Sequence, residues 1–384
     1  MIWIGDIMET RIKNYIFNHK DEILNDLISL VKAEGSTDEI ENLIQVRNQL
    51  KEIINKRFNE HVDEIQVEST RNCLYTKLIE QENDKSILLL GHYDTVHPKG
   101  TIPLNIYNNI LFGPGVCDMK GGIIIGLWAC KAINDLRLKT NYPVYMLNNG
   151  DEEKGSRDSL DILLEKAKNT RATLILEPAY DNGDLKTGRK GAGGCKITIY
   201  GKASHAGLHP EEGISAIEEA AHHILALHSL NNNELGTTIN VGVIHGGTVK
   251  NVVADKVVLD IDIRIKIASE AERIQEAIKS IPLKLTGTLK DVEFTKLTPP
   301  LEENEMNLQL YELYKKGANK IGLEVGKSFV GGASDGNRLV CLNIPILDGL
   351  GAVGKGMHAN HEQIDLNQYF DRIVMLASLL INIQ

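Results

Sequence analysis

The chain lacks the features of a membrane protein or a nucleic-acid-binding protein. Across its 384 residues no apolar run approaches the roughly 18 residues that span a bilayer, so we expect no contact with a membrane. The 42 Lys and Arg residues are outnumbered by 52 Asp and Glu residues, which gives a formal net charge of −10. A nucleic-acid partner would require a basic surface instead, so we expect none.

Cysteine is scarce, and no secretory signal is evident. The five cysteines are scattered, odd in number and never spaced as C-x-x-C, which excludes a disulfide framework and a cysteine-type zinc site. The N-terminal segment MIWIGDIMETRIK has a short apolar stretch that is interrupted by Asp6. Because a secretory signal needs a basic start and a longer apolar core, we predict a cytoplasmic protein.

Short apolar runs alternate with helical patterns through most of the chain. The runs are Ser86–Leu90, Tyr142–Leu147, Ala172–Leu176 and Asn343–Leu347, and the helical patterns cover 9–33, 36–58, Gly121–Leu136 and Asp158–Asn169. Uninterrupted apolar runs of this length are typical of strands that are buried on both faces of a parallel sheet. The sequence therefore predicts an α/β fold with a doubly wound, mainly parallel sheet.

The middle of the chain shows a different pattern. Its segments follow the order β-α-β-β-α-β, over Lys196–Tyr200, Ile214–Leu230, Thr238–Ile244, Lys256–Lys266, Glu270–Ser280 and Val292–Leu297. Alternation on one face predicts an antiparallel sheet in a smaller, ferredoxin-like α+β module. We predict that this module, residues 188–298, is inserted into the α/β domain, which is formed by residues 1–187 and 299–384.

Each of the four apolar runs is followed by acidic or imidazole side chains. They are His92 and Asp94, then Asp151, Glu152 and Glu153, then Glu177, and finally Asp348 on the way to His358. A glycine-rich segment before a helical pattern adds Asp118. Ligands of open α/β sheets bind beyond the carboxyl ends of the strands, so these groups are expected to converge on one edge.

Such a cluster predicts bound cations. Acidic groups packed together would repel each other and their pKa values would rise unless cations were present. Imidazole and carboxylate ligands without sulfur suit Zn²⁺, or alternatively Mn²⁺ or Co²⁺. Two neutral imidazoles and three carboxylates carry −3, and two divalent ions bring the set to +1. Paired ions of this kind are a common hydrolytic device.

Simpler interpretations stay open for the individual motifs. His92 and Asp94 alone could form an ordinary turn after a strand, and Glu152 and Glu153 could merely favour a helix dipole. The glycine-rich segment around Asp118 lacks the G-x-x-x-x-G-K-[ST] spacing of a phosphate-binding loop, which argues against nucleotide binding.

Together the motifs resemble the M20 metallopeptidases, which include glutamate carboxypeptidase, acetylornithine deacetylase and succinyl-diaminopimelate desuccinylase. Eight strings carry the resemblance, in the family's order: GHYDTVHP, GPGVCDMKGG, DEEKGS, LEP, GRKG, GKASHAGLHPEEGISAI, GGTVKNVV and DGLGAVGKGMHANHE. GRKG and GKASHAG are most similar to the glutamate carboxypeptidase branch. The resemblance extends from about residue 86 to residue 370.

The resemblance implies two Zn²⁺ ions per subunit and a set of ligands for them. Asp118 would bridge both ions, His92 and Glu177 would complete one site, and Glu153 and His358 would complete the other. His361 lies near His358, but the H-x-x-x-E string that ends at Glu362 favours His358 as the ligand. The family usually also has a cis peptide bond after the bridging aspartate.

Catalytic and substrate-binding roles follow from the same resemblance. Glu152 would be the general base, and Asp94 would orient His92 through its second ring nitrogen. The inserted module would be a lid or dimerisation domain, whose His205 reaches the partner subunit's site to stabilise an oxyanion. Arg264 would bind the free carboxylate of the substrate. Asn251 and Lys190 would add polar contacts to it.

The predicted function is hydrolysis of a small peptide or N-acyl amino acid that bears a free carboxylate, by a homodimeric zinc amidohydrolase or carboxypeptidase. One alternative within the family is an N-acyl amino acid deacylase or an aminopeptidase, in which Arg264 would bind a different group. A remoter alternative is an inactive metal-binding scaffold, which the intact ligand set and Glu152 argue against.

Overall fold

The computed structural model describes residues 4–384; the first three residues, part of the segment in which we expect no secretory signal, lie outside this range. The chain divides into two compact units. Gly188–Glu302 and Val330–Ala333 form the second unit, and the remaining described residues form the first. Within 4–384, no helix has both the length and the apolar character needed to cross a membrane.

The helices and strands of the described chain are as follows. The α-helices are α1 Ile4–Asn18, α2 Lys20–Lys32, α3 Ile40–Phe58, α4 Gly121–Asp135, α5 Leu160–Ala167, α6 Ala216–His228, α7 Glu270–Lys279, α8 Glu305–Lys320, α9 Asp335–Arg338 and α10 Leu366–Asn382. The strands are β1 Asp63–Ile65, β2 Cys73–Ile79, β3 Ser86–His92, β4 Asn105–Tyr107, β5 Ile110–Phe112, β6 Val144–Asn149, β7 Thr170–Ile175, β8 Leu185–Arg189, β9 Gly191–Tyr200, β10 Thr238–Gly246, β11 Lys256–Ile265, β12 Leu289–Phe294, β13 Lys327–Val330, β14 Ile346–Leu347, β15 Gly354–Lys355 and β16 Gln363–Asp365.

A mainly parallel sheet forms the centre of the first unit, with the strand order β1-β2-β6-β3-β7-β14. Strands β6, β3, β7 and β14 are parallel, whereas β2 is antiparallel to β6 and β1 to β2. Helix α4 is buried along almost its whole length, which includes Trp128, and this explains why its sequence is apolar on all sides. The predicted α/β fold with a mainly parallel sheet is confirmed.

Two of the differences between the structure and the sequence prediction in the first unit have a local explanation. Strand β2 was not predicted, because CLYTKLI mixes polar and apolar residues, although it pairs with the buried strand β6. The helical pattern over 9–33 forms two helices that are separated at His19. There the imidazole Nδ1 lies 2.7 Å from the carbonyl oxygen of Tyr15, and a φ of −108° departs from helical geometry.

The second unit has the predicted β-α-β-β-α-β order, from β9 to β12. Its strands form an antiparallel sheet in the order β10-β11-β9-β12. Alternate residues of β11 are buried, and they share a core with apolar residues of α6 and α7, among them Leu227 and Ile274. Strand β12 begins at Leu289, three residues before the predicted Val292, because alternation marks the faces of a strand more clearly than its ends.

Candidate active site

The candidate active site lies at the carboxyl ends of the parallel strands of the first unit. Strand β3 ends at His92, with Asp94 two residues later. A short helical turn that begins at Glu152 follows β6, and Glu177 comes two residues after the end of β7. These strands are adjacent and point the same way, so side chains just beyond their ends meet at one edge of the sheet.

Asp118 lies between two imidazoles and faces each of them with a different carboxylate oxygen. Its Oδ1 is 3.2 Å from the Nε2 of His92, and its Oδ2 is 3.5 Å from the Nε2 of His358. The peptide bond between Asp118 and Met119 is cis, as the sequence resemblance implied. A carboxylate with this orientation has the geometry of a bridging ligand.

Two groups of metal-ligating atoms share this aspartate. The first consists of His92, Asp118 and Glu177, and the second of Asp118, Glu153 and His358. Within each group the candidate ligand atoms lie within 4.8 Å of one another. The Nε2 of His92 is 3.5 Å from Glu177, and the Nε2 of His358 is 3.2 Å from Glu153. The structure thus brings together all five residues that the sequence suggested as ligands.

Asp94 lies behind the first group and connects it to the second. The Nδ1 of His92, the ring nitrogen that faces away from Asp118, lies 3.1 Å from the backbone carbonyl oxygen of Asp94 and 3.3 Å from its Oδ1. The Oδ2 of Asp94 accepts hydrogen bonds from the Thr37 hydroxyl at 2.9 Å and from the backbone N–H of Glu153 at 3.2 Å. The contact with Thr37 was not predicted, because nothing in the sequence near residue 37 indicates it.

The electrostatics of the cluster show an excess of negative charge. Burial disfavours the charged form of His92, but Asp118, Asp94 and Glu177 raise its pKa well above the usual value. Contacts with Asp118 and Glu153 raise the pKa of His358 to about 10. Although burial acts in the opposite direction, the two imidazoles lower the pKa of Asp118. Positive charge at this position is therefore stabilised, whether it comes from a proton or from a cation.

Glu152 differs from its neighbour Glu153 because it belongs to neither ligand group. Burial raises the pKa of its carboxyl well above the usual value, and the negative charges of Asp335, Glu177 and Glu153 act in the same direction. A carboxylate with a raised pKa holds protons readily, which is the property that a general base or acid needs near neutral pH.

A buried network supports the turn that carries Glu152 and Glu153, and sequence reasoning missed it. Asp335, at the start of α9, accepts hydrogen bonds from the Asn149 side chain at 2.8 Å and from the Ser156 hydroxyl. Burial raises the pKa of Asp335 to about 6. The only available signal was an acidic residue after a glycine-rich segment, which does not reveal a partner some 180 residues away.

The donor chemistry of the two groups fits divalent cations. Every candidate ligand offers an imidazole nitrogen or a carboxylate oxygen, which is the set that Zn²⁺, Mn²⁺ and Co²⁺ accept in catalytic sites. Burial raises the pKa of the neighbouring Cys117 thiol well above its usual value, and this thiol belongs to neither group of candidate ligands. Asp94 contacts the second ring nitrogen of His92, as carboxylates commonly do beside metal-ligating histidines.

In the second unit, His205 and Asn251 are neighbours. The backbone N–H of Ala206 donates to the carbonyl oxygen of Asn251 at 2.9 Å. The His205 ring is exposed, and its Nδ1 accepts hydrogen bonds from the N–H groups of Gly207 and Leu208, both at 3.1 Å. Because Nδ1 accepts, the proton of the neutral imidazole is on Nε2, which is left as a donor.

Arg264 and Lys190 belong to a basic cluster elsewhere in the second unit. Arg264 donates from Nε and Nη2 to both carboxylate oxygens of Asp262, at 3.0 and 3.1 Å. The pKa of Lys190 is lowered by partial burial and by the charges of Arg264 and Lys266. The guanidinium fork thus already binds a carboxylate that belongs to this chain.

Comparisons with known proteins agree with the fold. The peptidase dimerisation domain of the M20 type matches residues 187–286. Carboxypeptidase G2 of Pseudomonas sp. (strain RS-16) is 28% identical over 319 residues, which cover 79% of this chain and 75% of that protein. Succinyl-diaminopimelate desuccinylase of Wigglesworthia glossinidia brevipalpis is 27% identical over 308 residues, covering 73% of this chain and 79% of that protein.

Solved structures show the same fold at lower sequence identity. Aminopeptidase PepT from Bacillus cereus has a TM-score of 0.77 and 22% identity, covering 94% of this chain and 98% of that chain. The M20 family metallo-carboxypeptidase Sso-CP2 from Sulfolobus solfataricus has a TM-score of 0.76 and 18% identity, covering 94% of this chain and 99% of that chain.

The similarity to these curated relatives indicates the class of the protein, a hydrolase of the peptidase and amidohydrolase type. More specifically, the chain carries the M20 peptidase dimerisation domain, and the predicted resemblance to the M20 metallopeptidases is confirmed.

Proposed function

We propose that the chain is a two-metal amidohydrolase that cleaves a small peptide or an N-acyl amino acid bearing a free carboxylate, as a carboxypeptidase does. One observation carries the proposal. The two oxygens of Asp118 face two imidazoles, and each pair is completed by a further carboxylate. A paired arrangement of this kind around a shared aspartate is what a two-ion hydrolytic site requires.

Zn²⁺ is the proposed cation, with Co²⁺ or Mn²⁺ as alternatives. His92 and Glu177 would hold one ion, Glu153 and His358 the other, and Asp118 both. When bound, two such ions supply Lewis acidity that polarises an amide carbonyl and acidifies water. Asp94 keeps His92 in the orientation that directs Nε2 toward Asp118.

Glu152 is the proposed general base. Its carboxylate would take a proton from the attacking water and deliver it to the leaving nitrogen. Glu152 would then be ionised again at the end of each reaction cycle. Support comes from its position beside the ligand groups, where its carboxyl interacts with His92 and Glu177, and from its raised pKa.

His205 is the proposed donor to the oxyanion that develops during hydrolysis. Its Nδ1 accepts from two backbone N–H groups, so a neutral His205 presents an N–H at Nε2. A donor that is preorganised in this way stabilises developing negative charge without a rearrangement of the ring. We propose that it acts in the site of the partner subunit, with residues 188–298 as the lid and dimerisation domain.

Arg264 is the proposed site for the free carboxylate of the substrate, and Asn251 and Lys190 are proposed to add polar contacts. The bidentate pair with Asp262 demonstrates that the Arg264 side chain can bind a carboxylate through both Nε and Nη2. Substrate would have to compete with Asp262 for this fork.

A homodimer is part of the proposal. Strand β10 lies at the edge of its sheet and exposes Val243 and Ile244, and helix α6 exposes Ile217 and Leu225. Apolar side chains on an edge strand and on a neighbouring helix suit an interface with a second copy.

All five cysteines are free in the structure, which supports the proposed cytoplasmic location.

A substrate panel tests the assignment of a carboxypeptidase over a deacylase or an aminopeptidase. Dipeptides and N-acyl amino acids would be compared with the same compounds amidated at the C-terminus, for the wild type and for Arg264→Ala. We expect Arg264→Ala to raise KM for free carboxylates roughly tenfold or more, because a charge-assisted pair is lost. Asp262→Asn would lower KM for the same substrates, because the Arg264 guanidinium would no longer be paired with the carboxylate of Asp262.

The amidated compounds are the control, because they lack the group that Arg264 is proposed to bind. If amidation leaves the wild-type rate unchanged, Arg264 does not bind the substrate carboxylate, and the deacylase or aminopeptidase alternative is favoured. Absence of turnover across the panel, with metal bound, would instead favour the inactive scaffold.

A further inference from the structure

The loop that carries Asp118 is held by a single buried carboxylate from a distant part of the chain. Glu362 is completely buried. Its Oε1 accepts hydrogen bonds from the backbone N–H groups of Cys117 at 2.8 Å and of Asp118 at 2.9 Å, and its Oε2 accepts from Gly115 at 2.8 Å. Its own carbonyl oxygen accepts from the N–H of Gly113 at 3.3 Å.

Four backbone N–H groups within six residues of the loop donate these hydrogen bonds to Glu362. The bend of the loop brings them to the same side. Gly115 has a φ of +67°, which turns its N–H toward the same side as those of Cys117 and Asp118. From a separate position, the buried ammonium group of Lys120 donates to the carbonyl oxygen of Pro114 at 2.7 Å. The loop conformation therefore depends on side chains rather than on a regular ladder of backbone hydrogen bonds.

The energetics make this arrangement sensitive to the charge of Glu362. A buried carboxylate is costly unless hydrogen bonds compensate it, and here three N–H donors do so. Without an acceptor, the same N–H groups would be buried and unsatisfied, and the loop would be expected to rearrange. Any such rearrangement moves Asp118, because its own N–H is one of the three.

His97 connects the same carboxylate to the segment that carries the other ligands. Its ring is buried, and its Nε2 lies 2.9 Å from the Oε2 of Glu362. The backbone N–H of His97 donates to the Thr95 hydroxyl at 2.9 Å, just beyond strand β3 and His92. Glu362 itself follows His358 by four residues. Three ligand-bearing segments thus meet at one carboxylate.

We propose that Glu362, supported by His97, is a positioning residue that sets the position of the Asp118 carboxylate between the two ligand groups. The Glu362 carboxylate is not a candidate ligand in either group, and it contacts Asp118 through the backbone N–H of that residue. It acts through the backbone of the loop, and its loss would weaken metal binding and misplace the reacting groups. This inference depends on the proposed two-metal function.

The test compares Glu362→Gln with a matched variant of the second unit. Glu219 is also completely buried, accepts hydrogen bonds from the N–H groups of Lys284 and Leu285, and lies 3.0 Å from the Nδ1 of His223. Glu219→Gln therefore removes the same kind of charge from the same kind of cluster, but in the unit that does not contain Asp118. His97→Gln serves as a milder second variant in case Glu362→Gln fails to fold.

Three readouts separate positioning from general stability. The metal-free proteins are titrated with Zn²⁺ by calorimetry, the visible spectrum of the Co²⁺ form is recorded, and kcat and KM are measured separately. For Glu362→Gln we expect the dissociation constant for Zn²⁺ to rise about 10- to 100-fold, and kcat to fall roughly tenfold or more with little change in KM. The Co²⁺ spectrum should change as well. His97→Gln should change all three in the same direction, but less.

Glu219→Gln is expected to lower thermal stability while leaving Zn²⁺ affinity, the Co²⁺ spectrum and kcat unchanged. The proposal is overturned if Glu362→Gln, or His97→Gln in its place, binds Zn²⁺ and turns over substrate like the wild type. It is equally overturned if Glu219→Gln impairs metal binding to the same extent. If the wild type itself binds no stoichiometric metal, the proposed function fails, and this inference fails with it.

Discussion

The adjacent residues Glu152 and Glu153 provide a sharp test of the site, because their predicted roles differ. Glu153 contacts His358 at 3.2 Å within the second ligand group, whereas Glu152 belongs to neither group. Replacing each in turn by Gln removes one negative charge and preserves side-chain volume. The two substitutions should therefore separate catalysis from metal binding.

For Glu152→Gln we expect turnover to fall by a factor of about 10² to 10⁴, which is the contribution of a positioned general base. That factor corresponds to roughly 3 to 5 kcal/mol of transition-state stabilisation, at about 1.4 kcal/mol per tenfold. Metal content should stay at two ions per chain, because all five candidate ligands are intact. For Glu153→Gln we expect one of the two ions to bind at least about tenfold more weakly, because an anionic ligand becomes neutral.

The assay combines metal analysis by mass spectrometry after dialysis with turnover of an N-acyl amino acid or dipeptide substrate. Wild-type protein that has been treated identically is the control for loss of metal during preparation. A near wild-type rate for Glu152→Gln would refute the assignment of the base. A loss of metal in Glu152→Gln that equals the loss in Glu153→Gln would show that both residues are ligands.

Removal of metal with a chelator should abolish turnover, and it should lower Tm because the clustered carboxylates would then repel one another. Added Zn²⁺ should restore both turnover and Tm. A Tm that does not change on chelation would argue against tight metal binding. Gly122→Ala should prevent correct folding of the first unit, because the added Cβ would lie 1.8 Å from the carbonyl oxygen of Leu176. Gly331→Ala is the control, because a Cβ at this position would have no heavy atom within 4 Å. Both variants would be compared by circular dichroism, and a normally folded Gly122→Ala would contradict the close packing of Gly122 against Leu176. Burial alone would raise the pKa of Glu219, but hydrogen bonds from backbone N–H groups lower it below the usual 4.5 in the folded protein. The ionised Glu219 should therefore stabilise the fold above pH 4.5, and this stabilisation should be lost as the pH falls through the lowered pKa. Urea unfolding at several pH values should show a smaller acid-induced loss for Glu219→Gln than for the wild type, and equal losses would contradict this.

Much of the architecture was accessible from the sequence because its signals are local. Alternation over Lys256–Lys266 predicted strand β11, which spans Lys256–Ile265, and the apolar runs predicted the parallel strands β3 and β7. These patterns depend on which face of an element is buried, and residues within one element suffice to show it. Strand β2 was missed because its burial depends on its pairing with β6, which lies about 70 residues further along the chain.

The candidate site was accessible only in part. Side-chain chemistry at the ends of the apolar runs suggested that His92 and Glu177 converge, but it did not indicate which atoms would meet. The supporting contacts of Thr37, Asp335 and Glu362 were not predicted, although Glu362 was noted in the H-x-x-x-E string as a marker of His358. Each of these contacts depends on a partner that is distant in the chain.

The amino-acid sequence by itself determined the chemical inventory of this protein: nitrogen and oxygen ligands without sulfur, an acidic balance, and the order of strands and helices that carries them. Only the tertiary structure decided that the two oxygens of Asp118 face different imidazoles and that a carboxylate 244 residues away holds its backbone. The physical reason is that side-chain chemistry and periodicity are local properties. The satisfaction of a buried charge, in contrast, depends on whichever segments the completed fold brings within hydrogen-bonding distance.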